Sequence, residues 1–385
     1  MVAGCTSSGH GHPVAAPDTT ATGRSSSSTP AAPPSSESKP AKPGARTVTI
    51  LGTGDVLIHP QLWEQAHADA ASEGKDGYDF GPMLASVSPD VHRADLAICE
   101  MESPLAPPQG PFEGWPTFSS PPQVLTALKG VGYDSCTTAS NHSIDQGYTG
   151  VKRTLDEIDA AGLKHTGSAR SAEEADTPLI ITEPHGVKVA QLAYAFGFNG
   201  EHLPAGQPWL ANLTDIPTIL AAAHRAKQAG ADIVVVSMHW GVEYNTGATA
   251  LQRQQADELL ASPDVDLILG DHPHVVEPAQ KLHGKWVIYS MGNQISRHSD
   301  PVLVSREGAM AMFTFTETSP GRFTVTHAEV VPTLMELTPK LRLIDLPREL
   351  PHASAADKPS YEASIEHVRK IIDAMGAADD GMQVG

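Results

Sequence analysis

Five apolar runs in this chain end in side chains able to hold a cation or move a proton. Residues 48–51 lead to Asp55, residues 95–99 to Glu100 and Glu102, and residues 133–138 to Asn141 and His142. Residues 233–236 lead to His239, and residues 267–269 to His272 and His274. Asp55, Glu102, the Asn141 amide and the three imidazoles of His239, His272 and His274 make a mixed oxygen and nitrogen set. Such a set suits a divalent transition metal, Mn, Fe or Zn, better than Ca²⁺, which prefers oxygen alone. In His272-Pro273-His274 both rings can point the same way, so they can serve one cation or two. A carboxylate such as Glu102 can bridge two cations held roughly 3.5–4 Å apart. Asn141 offers a neutral oxygen, and His142 beside it is better placed to donate a proton. Taken singly each residue has an ordinary reading: a surface histidine, a helix cap at Asp55, a solvated loop charge at Glu102. Their shared position at the ends of apolar runs is what joins them. His59, four residues past Asp55, is expected at the mouth of the site.

These positions need elements to carry them. Strands are expected over 48–51, 95–99, 133–138, 233–236, 267–269, 286–289 and 309–316, with 323–331 pairing with the last. Runs 179–182 and 188–194, split by His185-Gly186, read as an antiparallel hairpin. Helices are expected over 122–130, 150–161, 215–230 (capped by Asp215), 249–261 and 362–375. Strand and helix alternate in the first half, which implies largely parallel, buried strands. Ligands in open α/β sheets sit beyond the carboxyl ends of the strands, where the polar residues above lie. If these strands are neighbours, the polar ends converge on one rim.

The chain has 385 residues and a formal net charge of −19, which argues against a nucleic-acid partner or an anionic membrane face. No apolar run is long enough to span a bilayer as a helix. Residues 1–45 are rich in Ser, Thr, Ala, Pro and Gly and are expected to form a disordered tether. Val2-Ala3-Gly4-Cys5 resembles a bacterial lipobox, which implies an extracytoplasmic lipoprotein anchored through an acylated Cys5. One acyl chain anchors only marginally, so stable attachment requires two. Residues 46–345 are expected to form one α/β domain, followed by a helical tail over 346–385. Three cysteines are too few for a disulfide scaffold, and Cys99 and Cys136 read as buried small hydrophobes. A bridge between them stays open if their strands are neighbours.

In order, the motifs Gly54-Asp55-Val56, Met101-Glu102-Ser103-Pro104-Leu105, Ser140-Asn141-His142-Ser143-Ile144-Asp145-Gln146-Gly147, His239-Trp240-Gly241-Val242-Glu243-Tyr244, His272-Pro273-His274-Val275 and Tyr289-Ser290-Met291-Gly292-Asn293 resemble the CapA family. That family is named for capsule and poly-γ-glutamate synthesis and is related to the calcineurin-like metallophosphoesterases. The resemblance implies a four-layer α/β/β/α sandwich with two cations between the sheet edges. It implies Asp55 and His274 on the first cation, Asn141, His239 and His272 on the second, and Glu102 bridging them. It also implies that His142 stabilises a leaving group and that Asp145 orients it. Trp240, Gly241, Glu243 and Asn293 match the motifs and are expected near substrate or behind the ligands. The chain departs from the broader superfamily pattern in lacking Asp-x-His at Asp55-Val56-Leu57 and in having Glu102 where Asp is usual. Glu100 stands where the family commonly has Asn, so either one cation is weakly held or Glu100 fills the gap. The implied function is a metal-dependent, phosphoesterase-like hydrolase tethered to the envelope, with an anionic polymer or a phosphoester as substrate. The alternative is a lipoprotein that binds or anchors polymer without turnover.

Overall fold

The computed structural model describes residues 44–298 and 303–385. The lipobox, Cys5 and nearly all of the expected tether lie outside the described residues. A first sheet orders its strands β14-β13-β12-β1-β2-β3-β4, with β11 added beside β1 and β15 beside β13. Its members are β1 (Thr47–Val56), β2 (Leu96–Met101), β3 (Ser135–Thr137), β4 (Lys164–Thr166), β11 (Asn293–Ile295), β12 (Glu307–Ser319), β13 (Arg322–Glu336), β14 (Arg342–Asp345) and β15 (Met382–Val384). A second sheet orders β5-β6-β7-β8-β10-β9. Its members are β5 (Leu179–Thr182), β6 (Lys188–Ala195), β7 (Ile233–His239), β8 (Leu267–Asp271), β9 (Ala279–Leu282) and β10 (Lys285–Ile288).

The two sheets pack face to face. Val48, Ile50, Leu96 and Ile98 of the first meet Val189, Val235, Leu267, Leu269 and Ile288 of the second in one buried core. Side chains alternate along a strand, so the neighbouring residues face outward. Leu51, Ala97 and Cys99 pack under the helices Pro60–Ser72, Gln123–Val131 and Gly147–Ala160. Val234, Val236 and Ile268 pack under Ile216–Gln228 and Ala250–Ala261. The layers are therefore helix, sheet, sheet, helix. Asp215 caps its helix by accepting the Thr218 amide, and Thr249 and Gln252 form a reciprocal capping box on the next.

The tail departs from its expected all-helical form. The helix Lys358–Ile372 buries Val368 and Ile372 in the inter-sheet core, and β15 then pairs parallel with β13. The cysteines depart as well. Strands β2 and β3 are parallel neighbours with Cys99 directly opposite Cys136, their Cα atoms 4.4 Å apart, and the two are bonded as a disulfide. The helix Pro60–Ser72 carries little signal in the sequence, because its Ala and polar residues give a weak amphipathic pattern.

Candidate metal centre

The polar strand ends do not share one sheet rim. β1, β2 and β3 deliver Asp55, Glu100, Glu102, Asn141 and His142 from the first sheet, while β7 and β8 deliver His239, His272 and His274 from the second. The groups meet because the carboxyl ends of both parallel sets open on the same seam. Close approach there depends on glycine: a Cβ at Gly54 would sit 1.8 Å from the Gly292 carbonyl oxygen, and one at Gly270 would sit 1.9 Å from that of Tyr289.

The buried floor is strongly acidic. Asp55 is fully buried; its Oδ1 accepts the His272 amide at 3.0 Å and its Oδ2 lies 2.8 Å from His274 Nδ1. Asn293 Oδ1 shares that Nδ1 at 3.1 Å, and the Asn293 amide donates to the His274 carbonyl. With Nδ1–H donated, His274 turns Nε2 towards Glu102 Oε1, 3.9 Å away. His239 Nε2 lies 2.8 Å from Asn141 Oδ1 and 3.9 Å from Glu102 Oε1, and its Nδ1 lies 3.5 Å from Glu100 Oε1. The His272 ring stands 4.8 Å from that of His239 and 5.9 Å from that of His274. His272 and His274 both hold positive φ, 95° and 57°, a conformation that costs a non-glycine residue about 1–3 kcal/mol.

Both oxygens of Glu100 and of Glu102, one oxygen of Asp271, and the Nδ1 atoms of His239 and His272 are buried without a hydrogen-bond partner. Buried polar atoms are normally satisfied, so a cluster of orphaned ligand-type atoms fits a site able to hold a cation. The atoms also fit one geometrically. Asp55, Glu100 and His239 each bring a ligand atom within 4.8 Å of the others, and so do Glu102, His272 and His274. Glu100 thus stands among the candidate ligands, opposite Asp55 in the pairing of β1 with β2.

Electrostatics agree. Burial pushes the Glu100, Glu102 and Asp271 carboxyls well above the usual range, and neighbouring carboxylates add to the rise. Burial drives His239 well down and His272 down to about 3. His274 departs upward to about 9: burial opposes its protonation, but the charge of Glu102 and the bond to Asp55 outweigh it. A cation would neutralise this acidic floor.

At the rim His142 Nδ1 lies 2.7 Å from Asp145 Oδ2, with both side chains largely covered. Phe118 packs edge-on against His142 at 4.7 Å, and its amide donates to Asp145. His59 sits at the mouth, its ring 4.8 Å from that of His298. Glu243 is exposed there, close enough for its charge to bear on Glu102 and His274. Trp240 is a correction. Its indole donates to the Tyr289 carbonyl and packs in the core under the second sheet's helices. Strand alternation sends it away from the site to which His239 points. Gly241 holds φ 91° close to Gln252 and Pro273, and so turns the chain after β7. Four residues near the site gave no sequence signal. Phe196, half exposed, lies 4.5 Å from the His272 ring; Asn199 accepts from the Asn141 amide at 3.1 Å; Phe118 and His298 line the mouth.

Two facing sheets with helices outside, and a buried acid and imidazole cluster where strand ends from both sheets meet, make a sandwich fold of the metallophosphoesterase type. More narrowly, the model of the family described as "Bacterial capsule synthesis protein PGA_cap" matches residues 49–298, and the chain belongs to that family. The chain is 30% identical over 206 residues to the PGA biosynthesis protein CapA of Bacillus subtilis, covering 54% of this chain and 53% of that one. It is 27% identical over 284 residues to a probable polyglutamine synthesis accessory protein of Mycobacterium tuberculosis, covering 64% and 74%. A capsule biosynthesis protein CapA of Bacillus anthracis matches at 29% over 197 residues, covering 49% and 47%. The chain thus spans about half the length of both Bacillus relatives. Among solved structures it resembles the calcineurin-like phosphoesterase YfkN of Bacillus subtilis at 14% identity and a TM-score of 0.45, covering 85% of this chain and all of that one. It also resembles the NAD nucleotidase of Haemophilus influenzae at 12% identity and a TM-score of 0.48, covering 87% and 68%. Among the described residues no helix is long and apolar enough to cross a membrane.

Proposed function

We propose that this chain is a metal-dependent, phosphoesterase-like hydrolase of the cell envelope that acts in making an anionic capsule polymer of the poly-γ-glutamate type. The observation that carries the reading is the set of orphaned carboxylate oxygens and imidazole nitrogens gathered from two sheets around one buried point. Asp55, Glu100 and His239 would hold one divalent transition metal, Glu102, His272 and His274 a second, with Asn141 beside His239; this differs from the resemblance, which sets His274 with Asp55, His272 with His239 and Glu102 between the two ions. When bound, such ions polarise a phosphoryl or acyl oxygen and lower the pKa of water towards neutrality. The chain's own part is positioning and proton transfer. Asn293 and Asp55 fix the His274 tautomer, and Asn199 turns the Asn141 oxygen inward. Asp145 holds His142 through Nδ1, with the Asn199 amide 3.5 Å from Nε2, and the protonated ring would give its Nε2 proton to a departing oxygen, worth roughly 10²–10⁴ in rate. Anchoring through Cys5 belongs to the same proposal. The buried Cys99–Cys136 disulfide supports an oxidising compartment, since such bonds are rare in the cytosol.

The test is elemental analysis of the purified chain, followed by a screen of phosphomonoesters, phosphodiesters and γ-glutamyl oligomers with Mn²⁺. We expect up to two metals per chain, and turnover that His272→Ala abolishes. Metal-dependent polymer binding without product would instead favour the non-catalytic reading. Absence of metal together with unchanged behaviour of His272→Ala would sink both.

A further inference from the structure

The acidic floor gives way within one ring's width to a wall of hydrogen-bond donors. The His59 ring is buried, edge-on to Phe118 at 5.4 Å. Its Nδ1 accepts the Arg297 amide N–H at 3.2 Å. The Leu57 carbonyl also lies 3.1 Å from Nδ1, but it is already satisfied by the amide of His59, whereas the Arg297 N–H can only donate and has no other acceptor among the described residues. Nδ1 as acceptor puts the ring proton on Nε2. That Nε2 has no partner among the described residues and is not sealed from solvent. The His298 ring lies 4.8 Å from His59 and 4.9 Å from His274, and its Nδ1 lies 3.3 Å from the Tyr244 hydroxyl. Tyr244 itself stands 6.2 Å from His274 and is 48% exposed. Arg297 donates to the His298 carbonyl, and no carboxylate among the described residues pairs with it.

We propose that His59 Nε2–H, the Tyr244 hydroxyl and the Arg297 guanidinium form a cradle for one oxyanion group of the substrate, phosphate or carboxylate, beside His274. A cation would meet an arginine and N–H donors there, whereas an oxyanion finds a charge and directed donors. Phe118 separates the cradle from the His142–Asp145 pair, touching His59 on one side and His142 on the other. The inference deepens the metal-hydrolase reading, which supplies the reacting centre, but the cradle is made by other residues.

The experiment is calorimetric titration of the Mn²⁺-loaded chain with inorganic phosphate and, separately, with N-acetylglutamate. Arg297→Met, His59→Phe and Tyr244→Phe are compared with the unaltered chain, with metal content measured on each sample and folding checked by circular dichroism. We expect Arg297→Met and His59→Phe to weaken one of the two anions at least tenfold, and Tyr244→Phe severalfold, with metal content unchanged. The anion that responds identifies phosphate or carboxylate as the ligand. Affinities for both anions within twofold of the unaltered chain in all three variants would overturn the cradle, as would no binding of either anion to the unaltered chain. An unaltered chain that holds no metal yet loses anion binding in the variants would refute the metal reading alone.

Discussion

Glu100→Gln probes the centre with one atom changed. Both Glu100 oxygens are buried and unpartnered, and the nearest basic atom, His239 Nδ1, is 3.5 Å away. Without metal, Glu100 must either stay charged beside Asp55, Glu102 and Asp271 or take up a proton that it would not hold in the unfolded chain, and both cost stability, so the amide should stabilise the metal-free chain. Removing that cost is worth about 1–3 kcal/mol. Metal works in the opposite direction. A ligand at a hundred times its Kd stabilises the fold by about 2.7 kcal/mol per site. For the unit Pro40–Gly385, an unfolding entropy of about 2.1 cal/mol/K per residue gives about 0.7 kcal/mol/K in all. Each bound ion should then raise Tm by about 4 °C, and two by about 8 °C. The assay is a thermal melt with EDTA and with saturating Mn²⁺. Glu100→Gln should melt about 1–4 °C higher than the unaltered chain in EDTA and gain only about half its Mn²⁺ shift. An equal shift in the two proteins, or a lower melt in EDTA, would refute the assignment of Glu100 to the centre.

Three further outcomes follow from the structure. Glu277 is fully buried beside Gln252, and burial raises its carboxyl to about 7, against about 4.5 in the unfolded chain. The folded state thus binds the extra proton, and stability falls as pH rises from about 4.5 to 7. Glu277→Gln should raise Tm at pH 8, by up to about 3 kcal/mol of stability, and leave it nearly unchanged at pH 4.5; an equal effect at both pH values would contradict this. His142→Asn and Asp145→Asn should keep the metal content and lose roughly 10²-fold or more of any turnover, so metal loss in either would move the pair into the ligand set. Thiol titration of the denatured, non-acylated chain should find one thiol before reduction, Cys5, and three after, whereas three before reduction would rule out the Cys99–Cys136 bond.

Much of this was legible because buried parallel strands read as unbroken apolar runs, and a ligand-type side chain stands three or four positions after each run, at its carboxyl end. Asp55, Glu102, Asn141, His239 and His272 were readable for that reason. Sheet membership was not, because a strand's sequence does not name its neighbours; only the structure divides these residues between two sheets. Glu100 and Glu102 are two apart and share a face, a signal that strand alternation offers and that favours Glu100 as a participant. The same alternation removes Trp240, which follows His239 and points the other way. Short strands such as β11 and β15 lack a period, and Phe196, Asn199 and His298 come from loops whose placement depends on distant packing.

The stretch from Tyr289 to Asn293 passes the chain from β10 in one sheet to β11 in the other, and β11 lies beside β1. Groups 217 residues apart, Asp55 and His272, touch across this handover. No fragment carrying a single sheet can therefore own half a working centre. Ions that bind here would act as rivets between two independently hydrogen-bonded slabs, and their loss should loosen the seam before either slab melts.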